Sequence, residues 1–203
     1  MTFDISKIRI TKLNNGFSPG EIIPDVQDMD NTGNMGRLFE DILRHRGYDL
    51  QSGAGPDLHQ MKIEIKSRNI CSSSSHTICT MPGYLIKQQP YEKTLFYQKI
   101  QKQYRIEYER YNHKSSIIRE ARIYDFSSHI IQDKLKKGYE YLQNELINQP
   151  NATYLSCEHG YGILEKVPGS KDSFYYRLSD KCMAKIKRLS TSKFESLFVN
   201  PCI

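Results

Sequence analysis

Gly55-Pro56-Asp57-Leu58-His59-Gln60-Met61-Lys62-Ile63-Glu64-Ile65-Lys66-Ser67-Arg68 is the stretch from which the architecture of this chain can be read. It opens on glycine, proline and aspartate, a turn combination. From Met61 the residues alternate, with Met61, Ile63 and Ile65 on one side and Lys62, Glu64 and Lys66 on the other. A period of two predicts a strand with one face on the core.

Upstream, Met35, Leu38, Phe39, Ile42 and Leu43 recur at helical spacing, which predicts a helix from about Asn34 to Arg46 that stops at Gly47. Residues 1–33 read as a lead-in with turns at Asn14-Asn15-Gly16 and Pro19-Gly20. Downstream, Ser72–Ser75 reads as a loop and His76 to Met81 as a second strand. Lys93 to Lys102 reads as a helix, and Gln103–Glu109 with Arg119–Phe126 as a strand pair. A helix capped by Ser127 or Ser128 then runs to about Asn148. Gly160–Val167 and Ser173–Leu178 form a hairpin, and Ser179 or Asp180 caps a last helix to about Phe198. On that helix Lys181, Lys185 and Arg188 share one face, opposite Met183, Ile186 and Leu189. Interleaved helices and strands make the class α/β or α+β. The 203 residues suit one domain, with a small second lobe.

The longest apolar runs are a few residues, too short to cross a bilayer, and the start lacks the apolar core of a secretory signal. Five scattered cysteines without a CxxC pair argue against a zinc site or a disulfide framework and for a reducing, cytoplasmic setting. The net charge of +6 is unevenly placed. Residues 1–87 carry ten basic and ten acidic side chains, whereas 166–193 carry eight basic and two acidic. A basic region beside a neutral one points to a polyanionic partner, although a solvated basic surface gives the same count.

The chemistry concentrates at Asp57, Glu64 and Lys66. Period two sets Glu64 and Lys66 on one strand face, roughly 7 Å apart. Asp57, in the preceding turn, is able to fold back beside Glu64, so that two carboxylates and an ammonium converge. Phosphodiester hydrolysis uses such a set. Two carboxylates, here Asp57 and Glu64, with the carbonyl of Ile65, hold Mg2+. Lys66 orients or helps deprotonate the attacking water. The expected products are a 5′-phosphate and a 3′-hydroxyl.

These residues resemble the PD-(D/E)xK nuclease superfamily, as Pro56-Asp57 and Glu64-Ile65-Lys66. Upstream, Asn31-Thr32-Gly33-Asn34-Met35-Gly36-Arg37-Leu38-Phe39-Glu40 is similar to the glycine-spaced helix with an acidic residue in the MutH nickase and the Sau3AI, MvaI and BcnI restriction enzymes. Downstream, Ile63 to Arg68, the serines, and His76-Thr77-Ile78-Cys79-Thr80 are similar to the strand-loop-strand of the MvaI and BcnI group. The likeness covers about residues 31–82. It implies a single restriction-endonuclease-like domain over 1–203, with a mixed central sheet flanked by helices and DNA in a cleft. Its catalytic part spans about 31–126 and its basic DNA-recognition part about 150–203. It also implies that Glu40 supports the site through water or Lys66, and that calcium does not replace magnesium.

Each residue has a plainer reading. Asp57 reads as an ordinary turn residue, and Glu64 with Lys66 as an exposed ion pair worth little. Glu40 reads as one more helix-surface glutamate, and His76 as a hydrogen-bonded strand histidine. The candidates for DNA contact are Arg68, His76, Arg177, Lys181, Lys185 and Arg188. Three functions follow. The first is a sequence-specific type II restriction endonuclease on double-stranded DNA, paired with a methyltransferase and acting as a monomer or homodimer. The second is a MutH-like or phage-type nicking or repair nuclease. The third is a non-catalytic DNA-binding module.

Overall fold

In the computed structural model the described residues are 7–24, 32–51, 53, 55–71, 76–112, 115–157 and 161–188. The serine run 72–75, the tip at 113–114 and the expected helix beyond 188 lie outside them. Backbone contacts divide the chain into two compact units. One comprises Ile10–Ser74 and Gln98–Asp125; the other comprises Met1–Arg9, Ser75–Tyr97 and Phe126–Ile203. Residues 75–97, inside the stretch read as catalytic, cluster with the second unit.

The first unit is built on a mixed sheet of β1 (Arg9–Thr11), β2 (Ile22–Pro24), β3 (Ile63–Asn69), β5 (Lys102–Asn112) and β6 (Ser115–Asp125). The order is β1-β6-β5-β3, with β2 also paired to β6. Strands β3 and β5 run parallel, Glu64 opposite Gln103 and Lys66 opposite Arg105. Strands β5 and β6 are antiparallel and longer than expected, Gln103 opposite Tyr124 and Arg105 opposite Arg122.

Helix α1 (Thr32–His45) packs on β3, as the apolar spacing requires. Met35, Phe39 and Leu43, four apart, are buried in one cluster with Ile63, Ile65, Tyr104, Ile106 and Tyr108. Phe39 meets Phe17 and Tyr108 edge-on at centroid distances of 5.2 and 5.3 Å. Arg44 and His45 lie in the last turn, where the helix dipole favours cations. Gly47, at φ 92°, then takes the left-handed conformation that ends the helix, and Tyr48 N–H donates to the Leu43 carbonyl at 3.1 Å.

The second unit carries an antiparallel sheet ordered β4-β9-β8-β7. Its strands are β4 (His76–Pro82), β7 (Tyr154–Ser156), β8 (Ile163–Lys166) and β9 (Ser173–Leu178). Helices α2 (Gly83–Gln88) and α4 (His129–Asn148) belong to it, with Ile131, Leu135, Leu142 and Leu146 buried as expected. Ser128 stands at the α4 N-cap by backbone, yet its hydroxyl makes no capping bond. The helix expected over Lys93–Lys102 is shorter. A 3-10 turn occupies Tyr91–Lys93 and α3 spans only Leu95–Ile100, because Thr94 Oγ1 accepts from Tyr97 N–H at 3.0 Å and starts the helix there. Residues 180–188 are helical and form α5; Ser179 Oγ accepts from Cys182 N–H at 3.1 Å as the cap. Among the described residues no helix is long and apolar enough to cross a membrane.

Candidate active site

The chain reverses between Leu58 and Ile63. These two residues exchange backbone hydrogen bonds of 2.9 and 3.2 Å, and Lys62 turns the corner at φ 55°. Met61 is therefore an exposed turn residue rather than the first inward residue of the strand, since the reversal consumes 59–62. Asp57 returns alongside β3. Its Oδ2 accepts from Ile65 N–H at 2.7 Å, and its carbonyl accepts from Gln51 N–H at 2.9 Å.

Strand β3 ends the order of its sheet, and Ile65 uses its N–H outward, toward Asp57 rather than β5. The N–H and C=O of one strand residue point to the same side. The Ile65 carbonyl thus faces the same open edge as the Asp57 carboxyl.

Glu64 lies on the face opposite Ile63 and Ile65, and that face is not open to solvent at this point. The Glu64 side chain is 2% exposed. Its Oε1 accepts from Lys66 Nζ at 2.7 Å. Lys99, on α3, donates to Oε1 at 2.8 Å and to Oε2 at 2.9 Å. Glu64 and Lys66 therefore form no exposed surface pair. A carboxylate withdrawn from water this far is costly unless it is paired, and here two ammonium groups pair it.

The register extends this polarity across the sheet. One row reads Glu64, Gln103, Tyr124; the next Lys66, Arg105, Arg122; the third Arg68, Glu107, Glu120. Gln103, Arg105 and Glu107 are all buried. The Arg105 guanidinium donates to Gln103 Oε1 at 2.7 and 3.0 Å, and Arg122 lies 3.4 Å from Glu120.

Glu40 projects from α1 and pairs with Arg44 at 3.6 Å, not with Lys66. Burial pushes its carboxyl above the usual range, and the charge of Asp57 pushes it further, with a smaller push from Glu64; Arg44 opposes them. Glu40 thus feels both carboxylates of the candidate site. Gly36, on the same helix, is not required by packing: a methyl there would meet Ser67 Oγ at an ordinary 3.7 Å.

Among the described residues, no group of three or more His, Cys, Asp or Glu side chains stands together as a metal cluster. The donors at hand are two carboxylates, of Asp57 and Glu64, and the Ile65 carbonyl. All are hard oxygens of the kind Mg2+ takes, and water completes its sphere in most such sites. The donor set fits the ion, provided the ammonium groups on Glu64 make room.

The DNA candidates divide between the units. Arg68 shares the β3 face with Lys66 and is half-buried. The others belong to the second unit. His76 is buried in β4, its Nε2 3.6 Å from Asp180 Oδ1, which suits the reading as a structural histidine. Arg177 is ion-paired to Glu165 across the hairpin. Lys181, Lys185 and Arg188 are exposed on α5, with Cys182, Met183 and Ile186 buried beneath them. Lys99 and Arg105 were not singled out in the sequence. Arg105 sits in a visible alternation, but nothing near Lys99 marks it.

No protein-family model matches this chain, and a search of curated proteins finds no match.

Proposed function

We propose that this chain is a magnesium-dependent, sequence-specific endonuclease that hydrolyses phosphodiester bonds of double-stranded DNA to 5′-phosphate and 3′-hydroxyl ends. The observation that carries the reading is the return of Asp57 onto the Ile65 amide, between Glu64 and Lys66. That bond sets one carboxylate at the strand edge beside the Ile65 carbonyl and next in sequence to the Glu64 and Lys66 pair.

In this reading Asp57, Glu64 and the Ile65 carbonyl hold Mg2+. The bound ion supplies charge neutralisation at the phosphate and a more acidic water. Lys66, at 30% exposure, keeps its ammonium at the mouth of the site. There it orients the attacking water and offsets the negative charge that grows on the phosphate. Glu40 stands close enough for the charge of Asp57 to add to burial in raising its carboxyl, so it supports the site electrostatically. Lys181, Lys185 and Arg188 supply phosphate contacts.

The buried, doubly paired Glu64 favours a second reading, in which the ion cluster only holds the sheet together in a DNA-binding module. Incubation of supercoiled plasmids with the protein, with and without Mg2+, separates the two. Discrete fragments that vanish in Asp57→Asn and Glu64→Gln support restriction, and relaxed circles alone indicate nicking. Binding that is indifferent to chelator, with no cleavage under any divalent metal, establishes the binding module instead.

A further inference from the structure

The proposed chemistry asks for one ammonium, that of Lys66, and the site contains two. Lys99 arrives from α3, 35 residues beyond Glu64, and is 14% exposed. It spans both oxygens of Glu64 at 2.8 and 2.9 Å, whereas Lys66 touches one. A carboxylate offers about four acceptor positions, and these contacts use three. The ammonium of Lys99 thus occupies the place from which any cation would grip both oxygens.

Its mounting suits a side chain that must give up its place. Lysine is a point charge on a flexible four-carbon stem, able to swing aside without disturbing the backbone. The backbone at Lys99 is meanwhile tied down, since its carbonyl accepts from Gln103 Nε2 at 3.3 Å. The head is free to leave while its root stays.

Resting on the nuclease reading, we infer that Lys99 is the resident counter-ion of Glu64. It holds the buried carboxylate in place through both oxygens while no divalent ion is bound, and yields when one arrives. Lys99 is therefore a positioning residue that competes with the metal. It sets the concentration of divalent cation at which the site fills, and its removal tightens the metal while loosening the metal-free protein.

The test is Mn2+ binding, by calorimetry and by the paramagnetic signal of free ion, on wild type, Lys99→Met, Lys99→Gln and Lys99→Arg. Losing one charged hydrogen-bonding competitor predicts Mn2+ binding about tenfold tighter in Lys99→Met, while Lys99→Arg stays within about threefold of wild type. Lys99→Gln, one atom shorter, keeps a polar end without the charge and tightens binding as well, which provides the readout should the methionine variant fold poorly. In chelator, Lys99→Met melts below wild type, and saturating Mn2+ closes the gap. Equal or weaker Mn2+ binding in both neutral variants, or a melting gap that Mn2+ leaves untouched, overturns the inference while the nuclease reading stands. Mn2+ uptake that is absent from wild type, or unchanged in Glu64→Gln, removes both.

Discussion

In strand β5, Tyr104, Ile106 and Tyr108 are buried on one side of the sheet, and Gln103, Arg105 and Glu107 are buried on the other. The first side meets α1 through hydrocarbon and aromatic rings. The second carries rows of charge that continue into Glu64 and Lys66. Both sides lose water, but for different returns. The apolar side is stabilised by the area it removes from solvent, roughly 25 cal/mol per Å2. The polar side gains little net stability, because each group exchanges water for a partner. What it gains is arrangement. Stability should reside mostly on one face and activity on the other.

Variants can break that division. The largest effect is expected for Lys66→Ala. Cleavage should fall about 10³-fold or more, the scale for losing a group aimed at developing charge. The urea midpoint should barely move, since Glu64 keeps Lys99. A comparable loss of stability and activity would merge the two faces into one structural role. Phe39→Ala, at the centre of the apolar face and 0% exposed, should cost about 3–5 kcal/mol in urea unfolding.

Arg105→Met, on the polar face, strands the Gln103 Oε1 acceptor and should cost about 1–3 kcal/mol. A cost above that of Phe39→Ala reverses the ranking of the faces. Exposed charge gives a contrast to buried charge. Replacing Lys181, Lys185 and Arg188 together by alanine should lower the slope of log affinity against log salt by about two to three, with melting nearly unchanged. An unchanged slope puts the DNA elsewhere.

The smallest effect concerns Glu40. Its carboxyl titrates higher folded than unfolded, through burial first and Asp57 second. The folded state then binds the proton more tightly, so the contribution of Glu40 to stability is present at low pH and lost as pH rises through the raised value. Glu40→Gln should match wild type near pH 4 and melt slightly higher by pH 8. A melting gap that does not depend on pH would show that neither burial nor Asp57 raises this carboxyl.

What could be read in the sequence was local. Helix α1, strand β3, the hairpin of β8 and β9 and the start of α5 each rest on a repeat or a cap within a few residues, and all stand. The meeting of Asp57 with β3 was legible for the same reason, because a reversal at 59–62 closes a six-residue gap. Burial of the charged face was not. A strand reading Gln103, Arg105, Glu107 looks half-wet in one dimension, and only the folded chain takes these groups out of water. Lys99 was invisible because its partner lies 35 residues away and its helix, Leu95–Ile100, is too short to display a face. The α3 boundary shifted because Thr94 captures the Tyr97 amide, a side-chain choice that apolar spacing does not register.

The bond from Ile65 to Asp57 has a consequence for self-association. A terminal strand with a bare amide row invites the edge of another chain, and soluble proteins blunt such borders with charge. Here Leu58 covers Ile63, and Asp57 stops the next amide along, standing a carboxylate on the rim. Stripping Asp57 to alanine would unblock that part of the border, inviting strand-to-strand stacking in concentrated solution. Asparagine, which keeps an oxygen for that amide, leaves the border closed.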